Sequence, residues 1–231
     1  MVNRRGGAHM RRTLLISDIH GEYDLFIELL EKVNYDPKED QLILLGDYID
    51  RGPKSKQVLE KVMQLKEEGA IVLRGNHDQM MIDVADEKED AWDRWERNGG
   101  LATLENYRRN RKKMTIPDDE LFHRHVRFLS TLDYYYEIDD YIFVHAGIEP
   151  GVKPDETDPW TLIWIREEFF RNYDGEKTVI FGHTPTRFLN KNKSNDVYFG
   201  QNNVIGIDGG AVYGGQLNCL ELPSKKTYYV K

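Results

Sequence analysis

The sequence predicts an α/β fold with two mixed β-sheets flanked by helices, and two observations carry that prediction. Apolar runs alternate with amphipathic segments over the first 80 residues, and a glycine-punctuated, β-rich tail closes the chain. The alternation implies parallel strands joined by right-handed helical crossovers. The tail, "VIGIDGGAVYGGQLNCLELPSKKTYYV", implies antiparallel strands and makes two sheets the better reading than one.

The elements follow in order. "RTLLIS" is a continuous apolar run of strand length, and "YDLFIELLEKV" sets Leu25, Leu29 and Val33 on one helical face. "QLILLGD" is a second buried strand. "SKQVLEKVMQLKEEG" repeats apolar residues at Val58, Val62 and Leu65 and stops at Gly69, and "AIVLRGNHD" is a third strand. Residues 82 to 133 are charged, tryptophan-containing and helical, and read as an insertion over the site that sets substrate choice. "YYYEI", "YIFVHAG" and "KTVIFGH" supply three further strands. No linker divides residues 10 to 231, which read as a single domain, and residues 1 to 9 read as a vector-derived leader.

Composition narrows the functional classes. A formal charge of -8 disfavours a general nucleic-acid binder, which needs basic residues against phosphates. The local exception, "YRRNRKK" at 107 to 113, reads as a solvated helix face with its loop, the alternative being a patch for an anionic partner. Cys219 stands alone, so neither a disulfide framework nor a thiolate cluster is available, which fits a reducing, cytoplasmic setting. The longest apolar runs fall far short of the roughly 20 residues of a membrane span.

Spacing then locates a site. Asp47 follows Asp18 by 29 residues (47 minus 18) and Asn76 follows Asp47 by 29 (76 minus 47), close to the roughly 30 residues of one βαβ unit. All three therefore fall side by side at strand C-termini, where open α/β sheets bind ligands. Asp18 and His20, two apart on an extended segment, are expected to leave the same face. His145 and His183 end two later strands. Asp18, His20, Asp47, Asn76, His145 and His183 form an oxygen and nitrogen set without sulfur, suited to manganese, iron or zinc. Six donors exceed one tetrahedral site, and a carboxylate shared between two ions about 3.5–4 Å apart uses them all.

The ordered motifs "DIH", "GDYIDRG", "GNHD", "HAG" and "GH" resemble those of the phosphoprotein phosphatases within the calcineurin-like metallophosphoesterases, and "RGNHDQMMID" with "WERNGG" is similar to the bacteriophage lambda-type and bacterial serine/threonine enzymes. The resemblance runs from Met10 through nearly the whole chain. It implies a sandwich of two mixed sheets and two divalent metal ions, manganese foremost. Asp18 and His20 would hold one ion, Asp47 would bridge, and Asn76, His145 and His183 would hold the second. It further implies that His77 is the general acid, that Asp50 orients it, and that Arg51 and Arg166 bind phosphate together with Asn76. Asp78 departs from the family's usual Glu, and diadenosine tetraphosphatases of the same family can carry Asp there.

The expected activity is hydrolysis of phosphoserine, phosphothreonine and also phosphotyrosine in a protein or peptide partner, by a monomer independent of membranes. A symmetrical dinucleoside tetraphosphate hydrolase is the alternative enzyme, and a silent phosphoprotein-binding scaffold the alternative of another class. Outside the set, Trp92, Trp95, Trp160 and Trp164 read as packing, Arg74 as structural, His123 and His125 as packing or surface, and Asp208 and Tyr213 as neighbours of the site.

Overall fold

The computed structural model describes residues 11–107, 116–138 and 140–231. The leader and most of the basic run, residues 108 to 113, lie outside the described residues. The first sheet has strand order β10-β9-β1-β2-β3, built from β1 (Thr13–Ile16), β2 (Gln41–Leu44), β3 (Ile71–Val72), β9 (Leu217–Leu222) and β10 (Lys226–Val230). Its first three strands are parallel, joined through α1 (Tyr23–Lys32) and α2 (Ser55–Glu67), while β9 and β10 run antiparallel.

The second sheet has order β4-β5-β6-β8-β7, from β4 (Tyr135–Glu137), β5 (Tyr141–Val144), β6 (Thr178–Phe181), β7 (Tyr198–Phe199) and β8 (Val204–Gly206). Between β3 and β4 in the chain come α3 (Asn76–Ala85), α4 (Ala91–Arg97), α5 (Gly100–Glu105) and α6 (Glu120–Ser130). Helices α7 (Pro159–Trp164) and α8 (Glu167–Asn172) lie between β5 and β6.

Strand alternation explains why the runs are apolar throughout. Leu14, Ile16, Leu42 and Leu44 pack under the helices, whereas Leu15 and Ile43 turn the other way to meet Phe143, Ile180 and Ile205 of the second sheet. The outer faces of β5, β6 and β8 bury Ile142, Val144, Val179, Phe181 and Val204 with Leu162 and Phe169 from α7 and α8. Each such side chain, fully buried, contributes about 1.5–3 kcal/mol. This stack fixes the strand ends that carry the site.

Three expectations are corrected. The tail is not wholly antiparallel: β8 runs parallel to β6, because the chain first reverses at β7, which pairs antiparallel to β8. Asp18 and His20 are not on extended backbone. Their φ angles, 54° and 45°, are left-handed, and their shared burial comes from a laced loop rather than from a two-residue strand repeat. Asn76 and His77 do not belong to the third strand, which covers only Ile71–Val72, but open α3, so the helical region begins before residue 82.

Candidate active site

The loops after β1 and β2 are tied together by their backbones. The amides of Asp18, His20 and Gly21 donate to the carbonyls of Gly46, Asp47 and Tyr48 at 3.1, 2.9 and 2.9 Å. Those bonds hold a cluster of non-glycine residues at positive φ: Asp18, His20, Asp47, Asp50 and Arg51, with His183 joining from the loop after β6. Each costs of the order of 1–3 kcal/mol, and such strain concentrates where side chains must be aimed. Gly75 answers a close approach. A Cβ there would collide with the backbone and carboxylate of Asp47, whose Oδ1 accepts the His77 amide at the start of α3 (2.9 Å).

Asp47 occupies the middle of the site. Its Oδ2 lies 3.5 Å from His20 Nε2 and 3.4 Å from His145 Nε2. His20 Nδ1 donates to the Ile49 carbonyl (2.7 Å) and His145 Nδ1 to that of Leu45 (2.8 Å), so each ring turns Nε2 inward. Asn76 Oδ1 lies 2.9 Å from His145 Nε2. Asp18, buried, accepts the Ser17 hydroxyl (2.5 Å) and the His183 amide (2.9 Å).

The protonation states follow from these contacts. Burial, and next the charge of His77, push the His20 imidazole down to about 3, which leaves Nε2 a neutral acceptor. Burial also opposes a charge on His145, but Asp47 overrides it and lifts that ring to about 9, so a proton and a cation compete for its Nε2. Burial raises Asp18, with His145 opposing and Asp47 adding to it, and burial and next the charge of Asp18 raise Asp208.

Two donor clusters share Asp47, one with His20 and His77 and the other with His145 and His183, each within 4.8 Å. His183 Nε2 is buried without a hydrogen-bond partner among the described residues, an orphan atom that a cation would satisfy. Donors of imidazole, carboxylate and carboxamide type therefore fit divalent metal ions.

Around this centre the expected partners assemble. His77 Nδ1 meets Asp50 Oδ2 at 2.6 Å, and its ring stands edge-on to His20 at 4.7 Å. Arg51 Nη1 donates to His20 Nε2 (2.9 Å), with its guanidinium 5.2 Å from the Tyr213 ring. Arg166 donates to the His183 carbonyl (2.9 Å) and Thr184 Oγ1 (3.1 Å). Asp18, His20, Asp47, Asn76, His77, Arg51, Arg166 and His183 line one cleft of about 510 Å³, joined by Asp208 and Tyr213, while His145 lies beneath it, fully buried.

Some of what the site needs was not read from the sequence. Trp95, taken as packing, donates Nε1–H to Asp50 Oδ2 at 2.9 Å, and Thr103 Oγ1 donates to Asp50 Oδ1 at 2.7 Å. No sequence signal marks Thr103. Trp164 lines the cleft, edge-on to His183 at 5.9 Å. Asp78 proves to be framework: fully buried and outside the cleft wall, it accepts the amides of Gly75, Asp47 and Tyr48 (2.8, 2.9 and 3.2 Å) and clamps the Asp47 turn. Burial and then Asp47 raise its carboxyl to about 7. Arg74 is structural, spanning Gln79, Ser130 and Leu132.

The calcineurin-like phosphoesterase family matches residues 11–216. The chain belongs to that family. It is 30% identical over 217 residues to serine/threonine-protein phosphatase 1 of Salmonella typhimurium, covering 92% of both chains. It is also 27% identical over 246 residues to the asymmetrical bis(5'-nucleosyl)-tetraphosphatase PrpE of Anoxybacillus flavithermus, covering 94% of this chain and 92% of that protein. A solved structure assigned provisionally as a diadenosine tetraphosphatase superposes with a TM-score of 0.72 at 23% identity, over 95% of this chain and 93% of its own. The chain is thus a phosphoesterase, and no helix among the described residues is long and apolar enough to cross a membrane.

Proposed function

We propose that this phosphoesterase removes phosphate from serine, threonine and tyrosine side chains of proteins, using two manganese ions. Asp18 and His20 would hold one ion, Asn76, His145 and His183 the other, and Asp47 both. Iron and zinc accept the same donors. When bound, such a pair neutralises phosphoryl oxygens and acidifies a water molecule.

The chain's own groups do the remaining work. Arg51 and Arg166, both on the cleft wall, carry the planar fork that matches phosphate oxygens. His77 donates a proton to the departing oxygen from Nε2, because Nδ1 is committed to Asp50. The single observation that carries the protein-phosphatase reading is this dyad. An alkoxide is a poor leaving group and needs a strong proton donor, and Asp50 is held by His77, Trp95 and Thr103 together. A partner that is a phosphorylated protein, a monomeric state and a cytoplasmic setting for the buried thiol of Cys219 complete the proposal.

A second reading, dinucleoside tetraphosphate hydrolysis, is favoured by the similarity to PrpE and by the exposed Phe188 and Tyr213 on the cleft wall, which suit nucleobases. The deciding experiment strips the protein of metal, adds manganese and compares a phosphoserine peptide with diadenosine tetraphosphate at matched concentrations. Faster peptide turnover supports the proposal. Faster dinucleotide cleavage moves the activity to nucleotides, and metal-independent rates on both refute the metal role.

A further inference from the structure

A second concavity of about 650 Å³ adjoins the catalytic cleft, and Phe188 belongs to the walls of both. Phe188 ends a 3-10 turn, Thr186–Phe188, that starts three residues after His183. It is 66% exposed, and Phe199, on β7, is 47% exposed in the same groove. Lone exposed apolar residues are ordinary, but two aromatic rings sharing a groove with Phe170 and Tyr198 form a patch with a use. The groove runs along β7, an edge of the second sheet with no strand beyond it among the described residues.

Its charge is equally one-sided. Arg171 and Lys191 line it, and the Arg187 guanidinium lies 5.5 Å over the Phe188 ring. No carboxylate of the described residues lines it, in a chain whose formal charge is -8. Arg171 does pair with Glu167 at 3.1 Å, but both side chains are well exposed, so that contact is weak and exchangeable. Two of the three amide side chains that line it, Asn190 and Asn202, are already used. Asn190 donates to Ser194 and Asp196 carbonyls, and Asn202 to those of Phe170 and Tyr173.

We propose that this groove receives the stretch of a phosphopeptide that flanks the phosphorylated residue, and that it selects an acidic side chain next to a leucine or phenylalanine. The proposal rests on the protein-phosphatase reading. Exposed rings and cations are what such a segment needs, and continuity through Phe188 leads an extended chain directly out of the cleft. A nucleoside is the poorer occupant, since two of the three amides that would read a base edge, Asn190 and Asn202, are committed to backbone carbonyls.

The test measures kcat/KM on three phosphoserine peptides with acidic-apolar, alanine or basic flanks, each divided by the rate on nitrophenyl phosphate. The expected order is acidic-apolar, alanine, basic. Lys191→Glu should reduce the preference for the acidic peptide up to about fivefold, as expected for one exposed ion pair, with the wild-type preference shrinking in high salt. Phe199→Ala should raise KM for that peptide with kcat little changed. Equal kcat/KM on all three peptides, or an unaltered preference in both variants at unchanged melting temperature, overturns the groove but leaves the phosphatase reading intact. No turnover of any peptide with nitrophenyl phosphate still hydrolysed overturns both. Diadenosine tetraphosphate cleavage that falls in Lys191→Glu gives the groove to a dinucleotide and overturns the peptide assignment.

Discussion

Replacing Asp50 with Asn tests the proposed proton-donating dyad directly. The carboxylate is fully buried and receives His77 Nδ1 at 2.6 Å, Trp95 Nε1 at 2.9 Å and Thr103 Oγ1 at 2.7 Å. Asn keeps the shape and an accepting oxygen but removes the charge that stabilises a protonated His77. A charge-assisted bond of this length is worth about 1.5–3 kcal/mol. At 1.36 kcal/mol per decade the loss in kcat/KM is about 10–150-fold. That loss should appear on a phosphoserine peptide and nearly vanish on nitrophenyl phosphate, whose acidic leaving group needs little protonation. His77→Asn should show the same asymmetry, and the double variant should be no slower than the slower single, because the two residues act as one unit. Thr103→Val, which removes one donor and keeps the charge, should cost only about threefold. Equal losses on both substrates, or a double variant at the product of the singles, would refute the dyad.

Three further outcomes are expected. Asp47→Asn should lower bound metal well below the wild-type content when both are loaded with manganese and analysed by elemental mass spectrometry; retention of two ions per chain would remove its bridging role. Burial pushes the Cys219 thiol up to about 12, so the folded protein should resist a thiol reagent at pH 8 and react once unfolded; fast native reaction would contradict that burial. Burial, aided by Arg124, holds His125 down to about 4, with the Tyr107 hydroxyl 2.5 Å from its Nδ1. An unfolded histidine gains its proton near 6.5, so the unfolded chain is favoured as pH falls from about 6.5 to about 4, by up to about 3 kcal/mol. His125→Gln should flatten melting temperature against pH across that window, and an unchanged slope would show that another group governs it.

The strand ends of the site were legible in the sequence because the chain repeats itself physically. A buried parallel strand is apolar along its whole length, so the first charged residue after it marks its C-terminus, as at Asp18 and Asp47. The βαβ pitch then aligns those ends. Direction and backbone shape were not legible. The parallel pairing of β8 depends on a reversal at two-residue β7, and nothing in "VYFG" announces it. The left-handed angles of Asp18 and His20 are imposed by bonds to Gly46 and Asp47 carbonyls, a tertiary effect against local preference. Trp95 and Thr103 were hidden for a similar reason, since they reach Asp50 across 45 and 53 residues of chain.

Those two contacts change what the helical segment between β3 and β4 does. Read from composition, it covers the cleft and sets substrate choice. In the structure α4 and α5 also hold the carboxylate behind His77, and the Gly99 carbonyl between them accepts the Arg51 amide at 3.2 Å. The same helix α4 reaches the other wall, where Arg94 lies 5.4 Å over Trp160, itself stacked on Trp164, which edges His183. A shift of α4 would therefore disturb His77, Arg51 and His183 together, the proposed proton donor, phosphate ligand and metal ligand. Exchange of this segment between relatives should alter kcat and KM jointly rather than KM alone, because the contacts of Asp50 and Arg51 hang on the same two short helices.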